Sequence, residues 1–161
     1  MQVVGLPGQI IRNGRAASRL LAAQTPSIEA ARRRDAVARW RRARADGYDE
    51  ALLVRSDGVV LEGPTCSIFW VRDGRLRTPA LETGILASIT RRVILESLGA
   101  EEGSFALKDA VGADEAFLAS TARWAQPIAS IGETSLPAAP GPQTLAAQEA
   151  IERAMAEGSI A

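Results

Sequence analysis

The spacing of apolar and polar positions divides the chain into a loop-rich start, one long helix, a strand-rich middle and a helical tail. Gln2 to Val4 predicts a short strand. Arg12 to Thr25 carries Asn13, Gly14 and small residues, which predict a loop with one helical turn. Ser27 is placed as an N-cap for a helix over Ile28 to Ala45, stopped at Asp46-Gly47. Arg32, Arg33, Arg34, Arg39, Arg41, Arg42 and Arg44 go most of the way round that helix. Ala30, Val37, Ala38 and Trp40 leave it only a narrow apolar stripe. Short strand-like runs follow at Glu50 to Arg55, Val59 to Glu62, Ser67 to Arg72 and Arg75 to Arg77. Ser56-Asp57-Gly58 and Asp73-Gly74 supply the hairpin turns between them. Ser88 then caps a helix over Ile89 to Leu98, which Gly99 stops. Glu101 to Phe105 and Glu115 to Ser120 read as strands on either side of a short helix, Lys108 to Gly112. PAAPGP at 137–142 is a loop, and a C-terminal helix follows at about 144–157. Helices mixed with largely hairpin-joined strands predict an α+β (mixed α/β) fold in one domain, 1–161, with the last helix packed on it.

Composition narrows the chemistry. The 161 residues have a mass of 17.0 kDa, the size of one ordinary domain. Nineteen basic residues balance nineteen acidic ones, and the pI is 6.4. A neutral chain argues against nucleic acid or an anionic membrane as the main partner. No run of apolar residues is long enough to span a bilayer, and a cytoplasmic protein is expected. The chain has no histidine, which excludes a Ser-His-Asp triad and any His-bearing zinc site. Cys66 is the single cysteine, so there is no internal disulfide. Lys108 is the single lysine, against eighteen arginines, so any Schiff-base chemistry would have to use it alone.

Four ordered blocks carry a resemblance: DEALLVRSDGVVLEGPTCSIFWV, DGRLRTPALETGILASITR, ALKDAVGADEAFLAS and STARWAQPIASI. Together they resemble the large C-terminal domain of the class IV (fold type IV) pyridoxal-phosphate aminotransferases. That family includes branched-chain and D-amino-acid aminotransferases and aminodeoxychorismate lyase. The clearest match covers residues 48–131. The resemblance implies the D-amino-acid aminotransferase-like fold and pyridoxal 5'-phosphate as cofactor. It also implies amino-group transfer between an amino acid and a 2-oxo acid, or lyase chemistry on aminodeoxychorismate, in a homodimer. It assigns Glu62 to the pyridine nitrogen, which it keeps protonated so that the ring can accept electrons. Ser88, Ile89 and Thr90 open a helix whose N-terminal amides and positive dipole end suit a phosphate. Thr121 would complete that phosphate site, with Ala122 near the substrate carboxylate. Cys66 reads as a buried small side chain, and Trp40, Trp70 and Trp124 as packing or interface residues.

Two departures from the family pattern bear on activity. Its members hold the cofactor covalently on one lysine, which also moves the proton during transamination. Counting back from Asp49 without gaps puts Glu29 at that position. Matching the local pattern Lys-Thr-x-Ser-Tyr puts Gln24 there instead, followed by Thr25-Pro26-Ser27 and with Ile28 in place of the tyrosine. Neither residue can form an imine, so no catalytic residue is assigned and covalent attachment is not expected. Only some two dozen residues precede the lysine position, so the family's small N-terminal domain is expected to be absent. These readings predict a class IV aminotransferase-like protein for which catalysis by this chain alone is doubtful. The alternatives are an inactive relative that binds the cofactor or another phosphorylated ligand non-covalently, and a dimerising scaffold subunit.

Overall fold

A computed structural model describes residues 17–25 and 36–158. In chain order its elements are β1 (Ser18–Thr25), α1 (Ala36–Ala45), β2 (Glu50–Arg55), β3 (Ser67–Arg72), β4 (Arg75–Pro79) and α2 (Ile89–Leu98). After these come β5 (Glu101–Gly103), α3 (Leu107–Val111), β6 (Glu115–Ser120), β7 (Trp124–Ile131), β8 (Thr134–Ser135) and α4 (Pro142–Ala156). The strands form one mixed sheet in the order β2-β1-β7-β6-β3-β4-β5, with β8 paired to β7. The α+β architecture expected from the sequence is the one observed.

The elements with strong local signals fall where the sequence puts them. Gly74 at φ 71° and Asp73 at φ 52° make the left-handed turn that joins β3 to β4. Ser88 caps α2 by accepting the Arg91 N–H at 3.1 Å, and Gly99 ends it at φ 64°. The stretch from Arg12 to Thr25 needs correction, because Ser18–Thr25 is a strand and not a loop with a helical turn. β1 is inserted between β2 and β7 and runs parallel to both, and this non-local pairing overrides a weak local signal. Val59–Glu62 folds back on β2 through main-chain bonds (Arg55 N to Val59 O 2.8 Å, Leu53 N to Glu62 O 2.8 Å) without becoming a full strand. Gln2–Val4 and the first part of the expected helix over Ile28–Ala45 lie outside the described residues.

The central strands are buried on both faces. Along β3 and β6, Ile68, Trp70, Ala116 and Leu118 enter one cluster with Leu20, Leu52, Val54 and Ile128. Phe69, Phe117 and Ala119 point the other way, onto Val93 and Ile94 of α2 and Ala147 and Ile151 of α4. Phe69 and Phe117 stack with centroids 5.2 Å apart. Each large side chain fully buried in this way contributes roughly 1.5–3 kcal/mol of transfer free energy. On the first face Asp109 of α3 accepts from Trp70 Nε1 (2.7 Å) and Arg77 Nη1 (2.8 Å), which fastens the short helix to the β3–β4 hairpin.

α4 is anchored at its start by a side chain from another element. Buried Glu115 of β6 accepts the Gln143 N–H at 2.6 Å and caps the helix from outside. Gly141 makes room for it, since a Cβ there would overlap the Glu115 carboxylate. Burial raises the pKa of Glu115 above its ordinary value, while bonds from the Gln143 and Thr144 amides pull it back in part.

Candidate functional site

Three segments that are remote in sequence meet around a cleft of about 600 Å³. The first is Glu62 to Ser67. Glu62 ends the chain's return along β2, and Gly63 N–H bonds Cys66 O at 2.8 Å to close a tight turn. A Cβ on Gly63 would lie 2.5 Å from Cys66 Sγ, so any side chain here would have to displace the thiol. The second segment runs from Leu86 to Thr90, the loop and first turn of α2. The third, Ala119 to Thr121, is the end of β6 and the turn after it.

Each segment brings polar groups to the cleft. Glu62 is 7% exposed, and its carboxylate accepts the Leu86 N–H at 3.1 Å, which ties the first segment to the second. Ser67 Oγ and Ser88 Oγ lie 3.2 Å apart, and Thr90 Oγ1 and Thr121 Oγ1 lie 3.5 Å apart. Because Ser88 Oγ caps the Arg91 amide, the amides of Ile89 and Thr90 are left with no protein acceptor among the described residues. Two free amides at a positive dipole end, with hydroxyls from two elements beside them, can receive an anion. Across the same cleft, a carboxylate with little water access can receive a cationic N–H. The arrangement therefore suits a ligand that carries both.

The structure brings Glu62, Ser88, Ile89, Thr90 and Thr121 together on this cleft. Ala122 is exposed in the adjoining turn and does not line it. Gln24 sits at the exposed end of β1, paired in register with Val54, and is also outside the lining. Glu29 lies outside the described residues. Lys108 is exposed on α3, so no side-chain amine lines the cleft among the described residues.

Ser67, Ser120 and the Gly63–Cys66 turn line the cleft beyond the expected set. In the sequence Ser67 is legible only as the first residue of the strand-like run to Arg72. The Cys66 thiol is pushed up to about 12, first by burial and then by the charges of Glu50 and Glu62, against the opposing effect of Arg123. It is therefore protonated at neutral pH and serves as wall. Behind that wall Arg123 pairs with Glu50, whose side chain is 1% exposed. Nothing in the local sequence links these two residues, which are 73 positions apart. The turn that carries Arg123 leaves through Trp124 at φ 59°. A left-handed conformation at a non-glycine residue costs roughly 1–2 kcal/mol and has to be held by its surroundings.

Comparison with known proteins agrees with this geometry. The family model described as amino-transferase class IV matches residues 14–131. A probable branched-chain-amino-acid aminotransferase of Thermotoga maritima is 34% identical over 118 residues, covering 70% of this chain and 43% of the relative. An aminodeoxychorismate lyase of Bacillus subtilis is 33% identical over 104 residues, 62% of this chain and 36% of the relative. Among solved structures, a branched-chain amino acid aminotransferase from Thermobaculum terrenum in its PLP form superposes with a TM-score of 0.75 at 34% identity. That match covers 88% of this chain and 52% of the other. The chain thus spans about half the length of that solved relative, and less than half of the two curated ones. With the family model matched over most of its residues, on a fold shared with solved members, the chain belongs to the amino-transferase class IV family.

Proposed function

We propose that this chain is a cofactor-binding domain of class IV aminotransferase type, which holds pyridoxal 5'-phosphate through non-covalent contacts. The observation that carries the reading is that Glu62 and the α2 N-terminus with Thr90 and Thr121 face one cleft. The phosphate fits the Ile89 and Thr90 amides and the two threonine hydroxyls, and the ring nitrogen fits Glu62. Such a cofactor supplies an electron sink for chemistry at the carbon bearing an amino group. Glu62 would hold the proton on the ring nitrogen. The α2 N-terminus and Thr121 would orient the cofactor, and the Gly63–Cys66 turn would keep water from its face. Amino-group transfer and aminodeoxychorismate cleavage are the family chemistries open to the whole protein. Catalysis by this chain alone is not expected, because no amine lines the cleft among the described residues and the family pattern aligns Gln24 or Glu29 with the lysine position.

The test is to titrate the purified chain with pyridoxal phosphate, reduce with borohydride and locate any label by mass spectrometry. Saturable binding without stoichiometric label is expected. Absence of binding, or a stable adduct on Lys108, overturns the reading. Gln24→Lys and Glu29→Lys extend the test, since a reducible adduct on either would show an intact pocket that lacks only its lysine.

A second reading, a dimerising subunit, draws on the apolar rim of Leu81, Leu86 and Ile89 beside the cleft, exposed by 43%, 55% and 48%. Light scattering on the eluting peak decides it, and a strict monomer would end it. No helix among the described residues is long and apolar enough to cross a membrane.

A further inference from the structure

We propose that the Glu50–Arg123 ion pair is a positioning device that fixes the Thr121–Ala122 turn at the phosphate end of the cleft; this rests on the reading of the cleft given above. Neither residue lines the cleft. Glu50 is the first residue of β2, and its buried carboxylate also accepts the Ala51 N–H at 3.1 Å. Arg123 is the last residue of the turn after β6, two positions beyond Thr121. Within the sheet β2 is separated from β7 by β1, so the pair spans a neighbouring strand rather than joining adjacent ones.

Two features separate positioning from general stabilisation. Taking two charges out of water largely offsets their attraction, and apolar side chains of similar volume often stabilise as well. What an ion pair adds is a fixed geometry, because the guanidinium presents its donors in a rigid fork. The turn also needs an external hold. Inside it the Arg123 N–H bonds Ser120, O at 3.1 Å and Oγ at 3.2 Å, and the turn exits through the left-handed Trp124. The Glu50 contact ties this strained turn to the body of the sheet. Thr121, whose hydroxyl lies 3.5 Å from that of Thr90, is placed by the same tie.

The experiment compares pyridoxal phosphate with pyridoxal, which lacks the phosphate, by fluorescence titration of the whole chain. The ratio of the two affinities reads the phosphate end alone. Arg123→Met is expected to cut that ratio roughly tenfold, the size of one lost hydrogen bond to a charged group. Arg123→Lys, which keeps the charge without the fork, should recover part of it, and Glu50→Gln should behave like Arg123→Met. Asp109→Ala, which loosens α3 on the opposite face, should lower Tm and leave the ratio unchanged. A wild-type ratio in Arg123→Met overturns the proposal, as does an equal loss in Asp109→Ala. Should Arg123→Met fail to fold, Glu50→Gln carries the measurement, and a wild-type ratio there is equally fatal. If the unaltered chain binds neither compound, the cleft reading falls and this proposal with it. If it binds both equally, the phosphate placement and this proposal fall, while Glu62 keeps its role.

Discussion

Two buried carboxylates in this molecule begin from the same local chemistry and end in different work. Glu62 accepts the Leu86 N–H at 3.1 Å, and Glu115 accepts the Gln143 N–H at 2.6 Å. Each lies near a helix start and has a glycine close by, Gly141 leaving room for the Glu115 carboxylate and Gly63 for the Cys66 thiol beside Glu62. The difference is what lies beyond the carboxylate. Past Glu62 is an open cleft of about 600 Å³ lined with hydroxyls and free amides. Past Glu115 is the packed start of α4, where Thr144 is fully buried. A carboxylate that faces open space can hold a ligand, whereas one that faces packed side chains can only hold the fold.

Substitutions at the two glycines test this most strongly. Gly141→Ala should be the more damaging, because its Cβ overlaps the Glu115 carboxyl and part of its stem. A loss of about 3 kcal/mol is expected in denaturant unfolding, at the upper end of overpacking costs. Gly63→Ala meets the Cys66 sulfur at 2.5 Å and the Ala51 carbonyl at 3.6 Å. Displacing one small side chain should cost about 1–2 kcal/mol, and cofactor binding should fall with it. Equal losses of stability, or unimpaired binding in Gly63→Ala, would erase the contrast.

The carboxylates themselves give the next pair. Glu62→Gln should weaken pyridoxal phosphate binding roughly tenfold, as a charge-assisted bond becomes a neutral one, with Tm of the unliganded chain nearly unchanged. Glu115→Gln should leave binding alone and alter the pH dependence of stability. The folded pKa of Glu115 is raised above its ordinary value by burial, so the folded state favours its protonated form. Its contribution is present in full below the unfolded pKa and is lost as pH rises through the folded value. Unfolding curves of wild type and Glu115→Gln should therefore converge near pH 4 and separate above the folded pKa, with the glutamine variant ahead. The gap should stay below about 1 kcal/mol, because the bonds from the Gln143 and Thr144 amides offset part of the effect of burial. A glutamine variant less stable at neutral pH would show that the negative charge, not the hydrogen bond alone, caps α4.

Much of the fold is legible in the chain because its signals are local. α2 runs from Ile89 to Leu98 between Ser88 and Gly99, since a cap and a stop are written within twelve residues. β2, β3 and β6 are equally plain as short apolar runs between turn residues. β1 is not, because Ala22, Ala23 and Gln24 have no strong preference and become strand only through their partners in β2 and β7. β7 carries Pro127 within it, which obscures the strand until its pairing with Phe117 is seen. At the site, Glu62, Ser88, Ile89, Thr90 and Thr121 could be named from ordered blocks. Ser67 and Ser120 emerge only when those blocks fold against each other, because neither lies in a pattern of its own.

By itself, the sequence determines the family, the α+β class and the residues that can carry charge or form an imine. Those properties depend on residue identity and short-range order. A single lysine and no histidine are facts of composition that folding cannot alter. The tertiary structure decides which of these residues meet. It puts Glu62 and the start of α2 on one cleft, leaves Lys108 exposed outside it and pairs Arg123 with Glu50 across a strand. Such contacts arise from strand order and from where space is left open, which are set by the packing of the whole chain and by no segment of it.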